Sequence, residues 1–247
     1  DLLVDDDLTV TDDVAIGGLA TVGGTLGVTG IATFTDDIII GDGKTIGSAS
    51  TVGAMTIASN GDVTFADGSD IITASAGTSN LRLGVNAGNS IVSGGNQNTV
   101  VGDEAGTAIT TGIENVLVGY TAGDALTDAD FNVAVGRAAL TTDTLGSKST
   151  AIGQGALNVQ NFTTATDSHN TAVGFFAGLL VTTGIKNTLI GSSSGDALTD
   201  ADFNTAVGFG SLGFDQLGSR TTAIGYRALG TQRPTTATDT YNTAVGY

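Results

Sequence analysis

The chain has 247 residues, 38 of them glycine, with one proline, one histidine, no cysteine and no tryptophan, and a formal net charge of -17. Aromatic residues make up only 5 %, too few large side chains to fill a thick globular core. Without cysteine there is neither a disulfide framework nor a thiolate metal site, and so strong a negative charge disfavours nucleic acid and anionic membranes as partners.

No apolar run approaches the roughly 20 residues of a membrane-spanning helix, so no membrane insertion is expected, and no basic stretch followed by an apolar one marks a signal peptide. The sequence opens at Asp1 and stops at Tyr247 inside a repeat, and it reads as a segment of a longer protein.

In chain order, the first element is a ribbon. Val4, Val10, Ile16, Val22, Val28, Phe34, Ile40, Ile46 and Val52 recur every six residues, with glycine pairs such as Gly17-Gly18 between them. This predicts a hexad-repeat β-helical shaft over residues 1–52, built of very short strands and tight turns in which glycine supplies positive φ. Such a ribbon has almost no interior of its own, and three chains wound together would provide one. Residues 53–79 read as two or three longer connecting strands, with Asn60-Gly61 as a hairpin turn.

From residue 80 to 247 a second rhythm takes over. After a degenerate coil ending at Gly84, short apolar runs close on Gly102, Gly119, Gly136, Gly153, Gly174, Gly191, Gly208, Gly225 and Gly246. Seven of these nine runs begin with asparagine, as in Asn170-Thr-Ala-Val-Gly174; the exceptions begin with Ser149 and Thr221. The glycines are spaced 17, 17, 17 and 21 residues apart, twice over, so four coils make a 72-residue super-repeat present in two copies. A fixed period of this size is the mark of a solenoid, in which each coil stacks on the next because it cannot bury its apolar face alone. Period-two alternation gives the strands two apolar faces, one for the coil interior and one in need of a partner. The valine or isoleucine before each glycine is placed in the interior. Three residues after each glycine stands alanine or serine, then glycine or leucine in the order Gly, Gly, Leu, Leu, twice over.

These coils resemble the head repeats of trimeric autotransporter adhesins and related repeats in bacteriophage tail fibres, notably marine, cyanophage-type ones, and the hexad ribbon is similar to phage fibre shafts. The resemblance implies an all-β, fibrous β-solenoid that forms a parallel homotrimer, with an intertwined β-helix ribbon followed by left-handed β-roll coils. The matching positions, such as Asn170 and Val173 to Gly174, carry folding and not chemistry.

Candidate sites are few. The phosphate-loop-like "GDGKT" at 41–45 lacks the first glycine of that motif, because position 38 is isoleucine. Left-handed β-helix acyltransferases share hexapeptide ribbons but need a histidine there, and residues 1–75 have none. Asp124, Asp128 and Asp130, and their counterparts Asp196, Asp200 and Asp202, set three acids within seven residues of a turn, which suits a hard cation such as calcium; plain solvation of an acidic turn is the competing explanation. No other cofactor is expected. Two carboxyls could also serve a glycosidase, but glycan-cleaving sites normally add aromatic platforms and the chain has no tryptophan. The 21-residue coils, four residues longer than the rest, should project from the stack. They carry Phe162, His169, Arg233 and Tyr241, candidates for surface recognition.

The function these features predict is structural and not enzymatic: a phage tail-fibre segment that extends and presents a host-receptor-binding tip. A bacterial trimeric surface adhesin stalk or head is the alternative, with a glycan-cleaving tailspike a third reading. The expected partners are further copies of the chain, adjoining fibre or virion proteins, and a host-surface glycan or protein. The expected location is the virion, as an extracellular fibre, or the bacterial cell surface on the alternative.

Overall fold

The computed structural model describes residues 44–46, 55–57, 63–65 and 76–247. The described residues form short β-strands, turns and bends, with no helix. The chain divides into two compact units, Asp1–Ser69 and Asp70–Tyr247. In the first, β1 (Lys44–Ile46), β2 (Met55–Ile57) and β3 (Val63–Phe65) form an antiparallel meander with Thr45 opposite Thr56 and Thr56 opposite Thr64. Each described strand here has three residues, and β1 lies within the predicted hexad stretch. The remainder of the predicted shaft and the Asn60-Gly61 turn lie outside the described residues.

The second unit contains β4 (Leu81–Leu83), β5 (Thr99–Val101), β6 (Val116–Val118), β7 (Val133–Val135), β8 (Gly146–Ser147), β9 (Thr150–Ile152), β10 (Thr166–Asp167), β11 (Thr171–Val173), β12 (Thr188–Ile190), β13 (Thr205–Val207), β14 (Gly218–Ser219), β15 (Thr222–Ile224), β16 (Thr238–Asp239) and β17 (Thr243–Val245). Ten of these form one parallel sheet in the order β4-β5-β6-β7-β9-β11-β12-β13-β15-β17. Each strand pairs in register with its counterpart in the next coil, Ala172 opposite Ala151 on one side and Leu189 on the other. The result is a parallel β-solenoid whose nine steps, at about 4.8 Å each, span roughly 43 Å.

Each three-residue strand ends at a glycine because the chain must turn where the coils touch. From Gly84 to Gly225 these glycines have φ between 127° and 140°. A Cβ on any of them would stand 2.1–2.7 Å from the carbonyl oxygen of the next glycine in the column. Neither the conformation nor the space admits another residue.

The residue buried in the coil interior is the middle one of each strand: Val100, Leu117, Ala134, Ala151, Ala172, Leu189, Ala206 and Ala223 are all fully buried. This corrects the sequence-based placement of valine or isoleucine inside. Val173 is half-buried and Ile152, Ile190 and Ile224 are 37–39 % exposed, on the outer face. The reason lies in the asparagines. The backbone N–H of Asn115, Asn132, Asn187 and Asn204 donates to the side-chain oxygen of the asparagine one coil earlier, each at 2.9 Å. Their own Nδ2 groups donate to carbonyls 14 residues ahead, Asn187 to Ala201 at 2.8 Å. A side chain making those bonds must point inward, and period-two alternation then turns the residue two later inward and the residues between outward.

Side-chain volumes in the interior are matched. The position four after the column glycine is left-handed in every full coil, whether glycine (Gly123, φ 56°) or leucine (Leu140, φ 53°). It is glycine where a large strand residue fills the space: a Cβ at Gly123 would sit 2.8 Å from Leu117 and 2.9 Å from Leu126. It is leucine where the strand residue is alanine, as with Leu140 beside Ala134 and Leu212 beside Ala206. In the remaining case Gly178 accompanies Ala172, and leucines of the coils on either side, Leu157 and Leu189, take up the room. Close packing makes such exchanges of volume obligatory.

The two long coils close on polar groups instead. Asp143 and Gln160 are fully buried. Asp143 Oδ1 accepts from the backbone N–H of Gly146 and Phe162, each at 3.0 Å, and Oδ2 accepts from Gln160 Nε2 at 2.6 Å. Gln160 also donates to Ser149 Oγ and accepts from Asn170 Nδ2, both at 2.8 Å, which carries the asparagine ladder across the place where Ser149 replaces asparagine. Asp215, Gln232, Thr221 and Asn242 repeat the arrangement in the second super-repeat.

Candidate interaction surface

The outer face of the ten-strand sheet carries two side chains per strand: leucines in β4, and in the other nine threonine or valine at the start and valine or isoleucine at the end, most of them half-buried. Beside them runs a third column, the residue just after each glycine. Tyr120, Phe175, Phe209 and Tyr226 occupy it, 45–50 % exposed. Phe209 stacks on Tyr226 with ring centroids 5.5 Å apart, and Tyr226 on Tyr247 at 5.3 Å. Together the columns form a largely apolar ridge along the stack, interrupted in the third column by Asp103, Arg137, Gln154 and Ser192, on a sheet whose other face is already covered. This aromatic column is legible in the sequence, since each member directly follows a column glycine.

A further outward column precedes the asparagine ladder. Glu114, Phe131, Lys148, His169, Lys186, Phe203, Arg220 and Tyr241 all have φ between 50° and 60°. His169 and Tyr241 are exposed here, as expected, one super-repeat apart. Charges and rings alternate: Arg220 lies 4.6 Å above the Phe203 ring and Lys186 5.0 Å from it. Lys148 pairs with Asp167 at 2.6 Å and Arg220 with Asp239 at 2.9 Å. The hydrogen bond from Lys148 holds the Asp167 carboxyl below the usual carboxylate range.

Phe162 is not a surface residue. It is only 6 % exposed. Its backbone is tied to Asp143 and its ring turns into the coil beside Gly146, filling the space the longer coil opens. Beyond Phe162, residues Thr163, Thr164, Ala165, Asp167 and His169 are exposed, and Thr166–Asp167 is fastened to the previous coil by the pairing of β10 with β8. Arg233 is exposed and its guanidinium lies 4.6 Å from the Phe214 ring centroid.

The six turn carboxylates are spread along the stack. Asp124 accepts from Thr141 and Asp128 from Thr111, both at 2.5 Å, while Asp130 and Asp202 accept from the backbone N–H of Ile113 and Ile185 at 2.8 and 2.7 Å. Asp200 is exposed, with a 3.4 Å contact to Thr199. Asp196 differs: its Oδ1 is buried with no hydrogen-bond partner, and burial pushes its carboxyl above the usual range. Among the described residues no three His, Cys, Asp or Glu side chains gather as a metal site would require. What four of these acids do is join one coil to the next. No family model, curated protein or solved structure matches the chain.

Proposed function

We propose that this chain is a fibre segment, a parallel homotrimer that gives length and rigidity to a phage tail fibre and presents a host-receptor-binding tip beyond it. The observation that carries the reading is the unpartnered apolar ridge on the outer sheet face. One such face per chain closes around a threefold axis without leaving an open edge. A parallel arrangement sets like coils of the three chains side by side, so valine meets valine and isoleucine meets isoleucine. The acidic surface supports it too, because net charge of one sign keeps a long particle with much apolar surface from bundling.

The orientation is open to a clean test because the chain has no cysteine. Spin labels on single cysteines replacing Thr99 or Thr222, near opposite ends of the stack, should each show short label-to-label distances. An absence of dipolar coupling at both positions contradicts the parallel assembly, and coupling that appears only when the two labelled variants are mixed would make it antiparallel. The full open reading frame decides the setting: a virion-attachment domain is expected, and an outer-membrane anchor barrel would contradict the phage reading.

A further inference from the structure

The two super-repeats are alike in fold, yet they differ sharply at one place on the turns that follow the column glycines. In the first unit Thr141 Oγ1 donates to Asp124 Oδ1 and also lies 3.0 Å from the carbonyl of Thr121, and Asn158 Nδ2 donates to the carbonyl of Ala138 at 3.0 Å. These side chains tie three successive coils together along the turn. In the second unit, 72 residues on, Thr141 is replaced by Gly213 and Asn158 by Gly230. Neither glycine has a positive φ, though a Cβ would stand 3.0 Å from the Gly210 carbonyl oxygen at Gly213 and 2.9 Å from that of Arg227 at Gly230. The loss of both side chains opens a trough of about 490 Å³ between the coils, lined by Asp196, Phe209, Gly213, Phe214, Arg227 and Gly230. The same substitution leaves Asp196 Oδ1 buried without a partner, where the equivalent Asp124 has one.

Other departures from the repeat converge on the same spot. Phe214 stands where the first unit has Thr142, Phe209 where it has Arg137, and Arg227 where it has Gly155. Phe209 and Phe214 are each 49 % exposed. Phe214 also borders an adjoining recess of about 370 Å³ that holds Arg233. The Asp196 carboxylate, arginine donors at the rim and the exposed Phe214 ring make up the chemistry of the trough. An anion would meet the Asp196 carboxylate at its floor, and a cation would meet Arg227 and Arg233. A neutral ring bearing hydroxyls meets neither objection, since each hydroxyl both donates and accepts and the C–H face of the ring is apolar enough to lie on an aromatic side chain. The volume falls in the range of about 300–1,000 Å³ usual for small-ligand sites.

We infer that this trough is a carbohydrate-binding site for a neutral pyranose unit, with Asp196 accepting from a sugar hydroxyl, Arg227 donating to another, and Phe214 flanking the ring. The inference stands on the trough and not on the assembly proposed above. It places recognition in the body of the stack as well as beyond it.

The test is saturation-transfer NMR on the full chain with glucose, galactose, mannose and N-acetylglucosamine, each alone, with glucuronic acid for comparison. At least one neutral sugar should receive saturation. Gly213→Thr, which restores the side chain present at Thr141, should abolish the signal, and Asp196→Asn should weaken binding about tenfold through loss of a charged acceptor. Circular dichroism and light scattering on the same samples separate loss of the site from loss of fold or assembly, and Asp196→Asn keeps the test decisive should Gly213→Thr fold poorly. No saturation of any neutral sugar would overturn the inference, as would binding that both variants leave unchanged or binding of glucuronic acid alone.

Discussion

The matched volumes inside the solenoid predict a strong coupling between Leu117 and Gly123. Leu117 is fully buried, and Leu117→Ala should cost about 2–5 kcal/mol through lost transfer energy and the cavity left behind. Gly123 has φ 56°, and an added Cβ would meet Leu117 at 2.8 Å and Leu126 at 2.9 Å. Gly123→Leu should therefore cost roughly 1–2 kcal/mol for a left-handed leucine and a further 1–3 kcal/mol for overpacking. The chain itself shows that leucine reaches this conformation when alanine is opposite, at Leu140 beside Ala134. The double variant rebuilds that arrangement, so its cost should fall short of the summed single costs by about 1–3 kcal/mol. Urea unfolding followed by far-ultraviolet circular dichroism on the four proteins of the cycle measures the difference. Additivity within about 0.5 kcal/mol would refute the idea that strand residue and left-handed residue share one interior space.

Three more outcomes are expected. Ala172→Asp buries an unpaired carboxylate and should cost several kcal/mol in thermal or urea unfolding, whereas Val173→Asp, on the outer face, should keep the circular dichroism of the folded coil and instead weaken association in sedimentation; equal loss of fold in both would show that the faces are misassigned. Asn187→Ala orphans the Asn204 backbone N–H and the Ala201 carbonyl, a loss of about 2–6 kcal/mol readable as a lower melting midpoint, and an unchanged midpoint would remove the asparagine ladder from the account. Burial raises the folded-state pKa of Asp196 above its unfolded value, so its contribution is most favourable below the unfolded pKa and is lost as pH rises through the folded one; Asp196→Asn should therefore raise the melting temperature at neutral pH, with the advantage fading as pH falls through the folded pKa and gone below the unfolded value of about 4. A gap between the two proteins that stays constant with pH would contradict that.

The period was fully legible because every coil contributes one strand and one turn glycine, and sequence identity at 17- and 72-residue intervals records the stacking directly. The order of inside and outside was not. A strand with apolar residues on both faces gives no amphipathic signal, and only the inward duty of Asn187 and its counterparts, visible once Nδ2 is seen to reach a carbonyl 14 residues ahead, settles it. Phe162 was misplaced for a related reason: a longer coil was read as a projecting loop, although extra residues enlarge the interior as well as the rim, and a large ring is what fills it. The trough at Asp196 was legible only as a difference between super-repeats. Gly213 against Thr141 and Gly230 against Asn158 stand out when the two copies are compared for their departures and not for their agreement.

The fibre reading rests on the outer sheet face being covered by like chains, and native mass spectrometry of the purified protein tests that most directly. The account predicts a single folded species at three times the 24.4 kDa chain mass, which Val173→Asp together with Ile190→Asp shifts toward single chains. A stable, folded species at 24.4 kDa under the same conditions would contradict it, because the ridge of valine, isoleucine and aromatic side chains would then stand uncovered in solution.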